Sequence, residues 1–337
     1  MSRVSPSELI DQSTRLLEQS GADERDARTV SEVLVWADHR GRFTQGTIWV
    51  ETLCASLRRG DILSPACIDT ISDRPAVVAL DAGGGFGHVA AVSAVRTAAQ
   101  RAVAEGVAIV TVRNSSHFGA CGYYATQLAE EGMIGIVATN AYPKVAPHGG
   151  RSAALGTNPI GFAAPVDGGG PIVGDLSTGA LAGSRVRDAV SGGRSLDEGT
   201  ALDRRGDPTR DPAALADGGV MLPFGGPKGY ALGILVEILT SGLSGGAAPD
   251  ALGSMFAPGR AATSHVVIAI APDAGLPARV SHLGSSIRST PPQDGMEVRL
   301  PGDVGHEHEA RDTIDLPTET EVALSRAATE PPPQPVA

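Results

Sequence analysis

The stretch from Arg113 to Pro165 constrains this chain more than any other. It holds two glycine-bearing turns set between apolar runs. The β-rich run Val107–Val112 leads through Asn114-Ser115-Ser116 into His117-Phe118-Gly119-Ala120. Serines before a helix are good N-caps, so the sequence predicts a helix whose first turn carries His117. The free N–H groups and dipole of such a start make an anion site suited to a phosphate. Histidine titrates near neutral pH, so His117 is a candidate proton-transfer group, with cofactor positioning or helix capping as its plainer role. The second turn is Gly156-Thr157-Asn158-Pro159.

The chain has 337 residues, 43 of them glycine, with 42% hydrophobic and only 4% aromatic residues. It is long enough for a sizeable core, built of Ala, Val, Leu and Ile. A net charge of −11 argues against a nucleic-acid partner. No apolar run is long enough to span a membrane and no signal peptide opens the chain, so no membrane partner is expected. Cys54, Cys67 and Cys121 form no CxxC and leave one thiol over, which suits reduced thiols in a cytoplasmic protein. Cys121, close after a helix start, is a minor candidate for a reactive thiol.

Ser5-Pro6-Ser7-Glu8 is a capping box with proline at the first helical position, and the helix it opens stops near Gly21. Asp23 caps a second helix that repeats Ala27, Val30, Leu34 and Ala37 and ends at Asp38-His39-Arg40-Gly41. A third helical stretch runs from Thr47 to Arg59. Between them lies the loop Gly41-Arg42-Phe43-Thr44-Gln45-Gly46. Pro75–Leu80 reads as a strand, followed by a glycine loop, a helix from Val89 to Val103, and the strand Val107–Val112. That succession resembles a dinucleotide-binding βαβ unit, but Gly83, Gly85 and Gly87 do not meet the GxGxxG spacing, and a tight strand-to-helix turn explains them as well.

Further on, Pro171–Ser177 reads as a strand and Ser191–Pro212 as a turn-rich surface excursion. Pro223–Gly229 leads into the apolar helix Tyr230–Leu239, with Lys228 at its start as a phosphate ligand or a surface lysine. Ser264–Ile270 is another strand, Glu319–Ala328 a last helix, and the PPPQPVA tail is expected to be disordered. His148 reads as a turn residue. His306-Glu307-His308-Glu309 reads as a charged loop without a third ligand, so no metal is expected.

Taken together, RNSSHFGACGYYA, LGTNPIGFAAP, DLSTG and LPFGGPKGYALGILVEIL, in this order, are similar to the malate/L-lactate dehydrogenase-like oxidoreductases. The resemblance covers roughly Pro6–Leu316. It implies an α+β, non-Rossmann NAD(P)-binding fold with a mixed sheet and a small N-terminal helical domain. The division it suggests is a helical domain over 1–72, joined by a C-terminal helix at 317–330, a catalytic domain over 73–316, and a tail at 331–337. It also implies NADPH or NADH as cofactor, a small-molecule substrate and a homodimer. Carried over to this sequence, the cofactor contacts fall on His117, Phe118, Gly119, Ala120, Asp175, Leu176, Ser177, Lys228, Pro301, Gly302 and Asp303. Thr157 falls beside the substrate.

The helical-domain loop departs from that pattern. A Ser-His pair is replaced by Thr44-Gln45, a carboxylate-gripping arginine by Trp49, and a relay aspartate by Arg185. Glutamine is no acid or base near neutral pH, and tryptophan makes no bidentate pair with a carboxylate. Thr44 and Gln45 therefore stand at catalytic positions, Trp49 and Arg185 at substrate positions. Arg42 or Arg185 is offered as a replacement anion clamp, and Trp49 as a pocket floor or as core. The resulting reading is hydride transfer to a C=N or C=O group. An ordinary 2-hydroxy-acid dehydrogenase and an inactive scaffold protein stand as alternatives.

Overall fold

The computed structural model describes residues 2–181, 186, 189–190 and 192–329. Arg185 and the tail at 331–337 lie outside them.

Three helices open the chain: α1 (Pro6–Gln19), α2 (Glu24–His39) and α3 (Val50–Arg58), the last preceded by two 3₁₀ turns over 43–49. The capping box is formed in both directions, with Ser5 Oγ accepting from the Glu8 N–H at 3.3 Å and Glu8 Oε2 from the Ser5 N–H at 3.0 Å. Leu9, Leu17, Val30, Leu34 and Leu53 bury the shared apolar face, and the final helix, Thr318–Thr329, adds Leu324 and Ala327 to it.

The rest is organised on a seven-stranded mixed sheet. Its strands in chain order are β1 (Asp69–Asp73), β2 (Val77–Asp81), β3 (Val107–Ser115), β4 (Ile134–Thr139), β5 (Ile160–Ala164), β6 (Ile172–Leu176) and β7 (Thr263–Ile270). They lie in the order β1-β2-β3-β7-β4-β5-β6. Only β2 and β3 run parallel; every other pairing is antiparallel. The parallel pair is joined by α4 (Gly87–Glu105). Thus the βαβ unit of the sequence exists, but the sheet does not continue as a parallel doubly wound one. Helices α4 and α5 (Cys121–Glu130) cover one face through Ala90, Ala94, Ala98, Tyr124 and Leu128. Among the described residues the longer helices that follow are α6 (Pro227–Glu237), α7 (Leu276–Arg288), α8 (Asp303–Glu309) and α9 (Thr318–Thr329).

Several local expectations are corrected. Helix α5 starts at Cys121, so His117–Ala120 is a loop and not a first helical turn. Strand β3 runs on through Ser115 because that residue pairs with Thr263, and the chain then reverses at Gly119, whose φ is +79°. Neither serine caps α5. Ser115 Oγ meets His265 Nε2 at 2.8 Å, while Ser116 Oγ accepts from the Gly87 N–H at 3.0 Å, at the start of α4. The stretch 306–309 is helical rather than a loop. Helix α7 and strands β1, β4 and β5 have no counterpart in the sequence analysis.

Strand β5 crosses the first turn of α5 closely. A Cβ on Gly161 would stand 2.6 Å from Cys121 Cβ and 2.7 Å from its carbonyl carbon. Gly161→Ala is therefore expected to overpack this contact and lower stability by about 1–3 kcal/mol, read as a lower midpoint in urea unfolding. An unchanged midpoint would mean that helix and strand can part at no cost.

Candidate active site

A cavity of about 150 Å³ opens where the helical unit meets the sheet. It gathers residues from distant parts of the chain: Thr44, Gln45 and Trp49 from the 3₁₀ turns, His117 to Gly119 from the loop after β3, and Thr157 from the turn before β5. The sequence reading had named all of these.

His117 is half-buried and lies face to face with Trp49, with ring centroids 3.8 Å apart and planes inclined by 19°. Trp49 Nε1 donates to the Thr44 carbonyl at 2.9 Å, which ties the indole to the loop bearing Thr44 and Gln45. Trp49 also packs against the helical core, so its two expected roles coexist. His88, fully buried in α4, meets the His117 ring edge-on at 5.6 Å, and neither of its ring nitrogens has a hydrogen-bond partner among the described residues. Burial, reinforced by the neighbouring His117 and His265, holds His88 well below the usual histidine range, so it is neutral.

Behind the loop, Phe118 is buried between Tyr124 and His265, stacked on the latter at 4.4 Å. Its carbonyl accepts from Tyr124 Oη. The side chain of Phe118 is thus packing, and its backbone is the part that borders the cavity. His265 is bonded through Nδ1 to Thr139 Oγ1 and through Nε2 to Ser115 Oγ, each at 2.8 Å. Burial first, then the neighbouring His117, pushes its pKa down to about 3.

The Thr157 turn is fixed from two sides. The Thr157 carbonyl accepts from Ser177 Oγ at 3.1 Å and from the Thr178 N–H at 2.9 Å. Asn158, at φ +35°, donates from Nδ2 to Glu237 Oε1 at 2.9 Å, and its Oδ1 accepts from the Ala141 N–H at 3.2 Å. Glu237 Oε2 in turn accepts from Asn140 Nδ2 at 3.3 Å. A buried carboxylate on α6 so joins both turns that border the cavity.

Other expected cofactor residues lie outside the cavity wall. Asp175 Oδ2 accepts from the Gly122 N–H at 2.9 Å, so a carboxylate of the chain itself already sits at the start of α5. Burial raises the Asp175 pKa, against the opposing pull of Arg42 and the Gly122 N–H. Arg42, a suggested anion clamp, points its Nη1 at the Asp175 carbonyl at 3.3 Å and does not border the cavity. Ala120 is buried and Leu176 exposed. Lys228 is exposed in the first turn of α6. Pro301–Asp303 borders β6: the Pro301 carbonyl accepts from the Val173 N–H at 3.1 Å, and Asp303 pairs with Arg288 at 2.6 Å. Arg185 lies outside the described residues. The reactive-thiol reading of Cys121 is overturned, because burial, with Asp175 adding to it, pushes its pKa well up. His306 Nε2 meets the Pro171 carbonyl at 2.9 Å, and among the described residues no three His, Cys, Asp or Glu gather as a metal site. No helix among them is long and apolar enough to cross a membrane.

The cavity also contains residues the sequence reading passed over: Asn140, Tyr142, Lys144 and Phe256. Lys144 Nζ stands 4.4 Å from the Tyr142 ring centroid and 5.6 Å from that of Phe256, and Phe256 leans on Trp49 at 5.4 Å. The available signal was a lone lysine in a run of turn-forming residues, two positions after an aromatic.

Comparison with known proteins agrees with this architecture. The family model described as malate/L-lactate dehydrogenase matches residues 4–322. A malate dehydrogenase of Pyrococcus abyssi is 38% identical over 251 residues, 72% of this chain and 69% of that protein. The Delta(1)-pyrroline-2-carboxylate/Delta(1)-piperideine-2-carboxylate reductase of Pseudomonas syringae pv. tomato is 36% identical over 311 residues, 91% of this chain and 90% of the relative. Among solved structures, the sulfolactate dehydrogenase of Methanocaldococcus jannaschii superposes with a TM-score of 0.89 at 30% identity, covering 97% of this chain and 96% of that one.

The loop that presents Trp49 depends on Asp38. Its Oδ2 accepts from the Thr47 N–H at 2.8 Å and from Thr47 Oγ1 at 2.6 Å, while Oδ1 is buried without a partner among the described residues. Gly46 is required there, because a Cβ would fall 1.8 Å from Asp38 Oδ1. Burial lifts the Asp38 pKa from 3.8 to about 7, against the pull of the Thr47 hydrogen bonds. A raised carboxyl pKa stabilises the fold at low pH and loses that contribution as pH rises through the folded value. Relative to Asp38→Asn, the wild type is therefore expected to lose stability between about pH 4 and pH 7, measured as the difference in urea midpoints. A difference that does not vary with pH over this window would show that Asp38 is ionised in the fold throughout.

Proposed function

The chain belongs to the malate/L-lactate dehydrogenase family of NAD(P)-dependent oxidoreductases, and on that premise we propose that it transfers hydride to a C=N or C=O group of a small metabolite. The observation that carries the reading is the cavity uniting His117 with Thr44, Gln45, Trp49 and Thr157. Its relatives are named for malate, sulfolactate and cyclic imine carboxylates, all small and anionic. The aromatic wall of Trp49 and Phe256, with no arginine among the described residues that border the cavity, supports a flat substrate such as a cyclic imine, held by ring contact rather than by a guanidinium fork.

The residues present suit a nicotinamide cofactor. The cavity has one aromatic wall and, from Thr157, a hydroxyl for a carboxamide. The exposed Lys228 at the start of α6 supports a phosphate contact, with His117–Ala120, Asp175–Ser177 and Pro301–Asp303 as the proposed cofactor border. When bound, the reduced cofactor supplies the hydride. His117 gives the proton to the developing alkoxide or amine and takes it back in the reverse direction. Trp49 fixes the imidazole plane, and Thr157 orients the substrate from a backbone pinned by Ser177 and Thr178. The antiparallel majority of the sheet supports a non-Rossmann mode of cofactor binding. We take residues 1–72 with the C-terminal helix as one domain and 73–316 as the other.

A homodimer is part of the same proposal. Ile234, Leu235, Ile238 and Leu243 form an exposed apolar row on α6 and the turn that follows it, more than a surface helix of a monomer ordinarily shows.

Titration of the purified protein with NADPH and with NADH, followed by nicotinamide fluorescence, tests the reading. Saturable binding of one of them is expected. His117→Ala is expected to lose about 10²–10⁴-fold in turnover on a cyclic imine or 2-oxo acid at saturating cofactor. No binding of either cofactor by the folded protein would sink the oxidoreductase reading. For the assembly, Leu235→Glu with Ile238→Glu is expected to halve the mass seen in light scattering. A wild-type protein that is already monomeric would refute the dimer.

A further inference from the structure

Resting on the oxidoreductase reading above, we propose that Glu237 is a positioning residue of the reaction: from outside the cavity it fixes the Thr157 turn against the exit of β4, acting through Asn158 and Asn140.

Glu237 ends α6 and is 8% exposed. The described residues that border the cavity include Asn140 and Thr157 but not Glu237. Three donors converge on its carboxylate: Asn158 Nδ2 at 2.9 Å from Oε1, and Asn140 Nδ2 at 3.3 Å and Ser241 Oγ at 3.1 Å from Oε2. A carboxylate only accepts, so it suits that set, whereas an amide does not. The two asparagines cannot compensate by turning over. Asn158 Oδ1 accepts from the Ala141 N–H at 3.2 Å and Asn140 Oδ1 from the Ser264 N–H at 2.8 Å, so a reversed amide would set N–H against N–H.

The backbone around this contact is shaped to it. Gly156 lets the two turns approach, because a Cβ there would stand 2.2 Å from the Ala141 carbonyl oxygen and 2.6 Å from Asn158 Oδ1. Asn158 holds φ at +35°, in the left-handed region that a side chain enters at a cost. Behind Glu237 the helix widens into a π turn over Ile238–Gly242. Ser241 of that turn reaches both the Glu237 carboxylate and its backbone carbonyl, each at 3.1 Å. Such turns are rare and recur at functional sites. A strained turn kept in place by one buried carboxylate gives Thr157 a fixed station beside the substrate, and a misplacement of about 1 Å can cost about a hundredfold in rate.

The test replaces Glu237 by glutamine, which keeps the size and turns one acceptor into a donor. Glu237→Gln is expected to slow single-turnover hydride transfer, followed by nicotinamide absorbance, by about ten- to hundredfold, while KM changes by less than about threefold. Glu237→Gln combined with Asn140→Asp restores the pairing. The new amide accepts from Asn158 and donates to the new carboxylate, which still accepts from the Ser264 N–H. This pair is expected to recover most of the rate, which a general loosening of the fold would not allow. A second readout needs no turnover. Without cofactor, hydrogen exchange at the Ala141 and Thr178 amides, which bond to Asn158 Oδ1 and the Thr157 carbonyl, is expected to quicken in Glu237→Gln and to slow again in the pair. Ser241→Ala removes a single donor, and should show both effects at smaller size even if Glu237→Gln does not fold. A wild-type rate in Glu237→Gln overturns the proposal, as does unchanged exchange at the two amides, or a pair that recovers neither. If no cofactor binds but exchange responds as expected, the hold on the turn stands and the oxidoreductase reading falls.

Discussion

The carboxylate of Glu237 is the joint on which the cavity depends. A buried carboxylate is costly unless its oxygens are bonded, and here both are, to Asn158 and to Asn140 and Ser241. The effect is to lock three segments together: the exit of β4, the turn before β5 and the helix α6. Asn140 extends the lock to β7, since its Oδ1 accepts from the Ser264 N–H at 2.8 Å. With those backbones tied, Thr157, Tyr142 and Lys144 border the cavity from neighbouring positions in the same segments. A partly satisfied network of this kind would be worse than an apolar core, so its completeness is what makes the polar interior tolerable.

The opposite wall is built by a different principle. There the chain uses rings in place of hydrogen bonds: Trp49 on His117, His88 against its edge, and Phe118 on His265. Ring stacking sets the plane of the His117 imidazole. The buried His88 and His265 are kept neutral by burial and so add no fixed charge behind His117. The His117 side of the cavity is thus held by rings, whereas the turn side is held by hydrogen bonds.

What the sequence revealed follows from this division. Periodic helices, the capping box and most apolar strands were legible because local pattern alone decides them. The cavity residues Thr44, Gln45, Trp49, His117 and Thr157 were legible through a resemblance spanning the chain, with the spacing of the turns as support. The start of α5 was misread because serine before a helix has two uses. Ser116 caps α4 across space, a partner that no local window contains, and Asp175 takes the end of α5 from the far side of the sheet. Glu237 was hidden inside an apolar helix, where one carboxylate looks like a surface residue. Lys144 and Phe256 were hidden because they meet only in the fold, 112 positions apart along the chain.

The helical-domain loop is where the two walls meet. Asp38 holds it through the Thr47 N–H and Oγ1, and the Trp49 Nε1 closes it on the Thr44 carbonyl. The indole so placed lies on His117 and at the same time packs into the helical core. A side chain that belongs at once to that core and to the cavity wall ties the placing of His117 to the packing of the helical unit, because close-packed interiors transmit displacement.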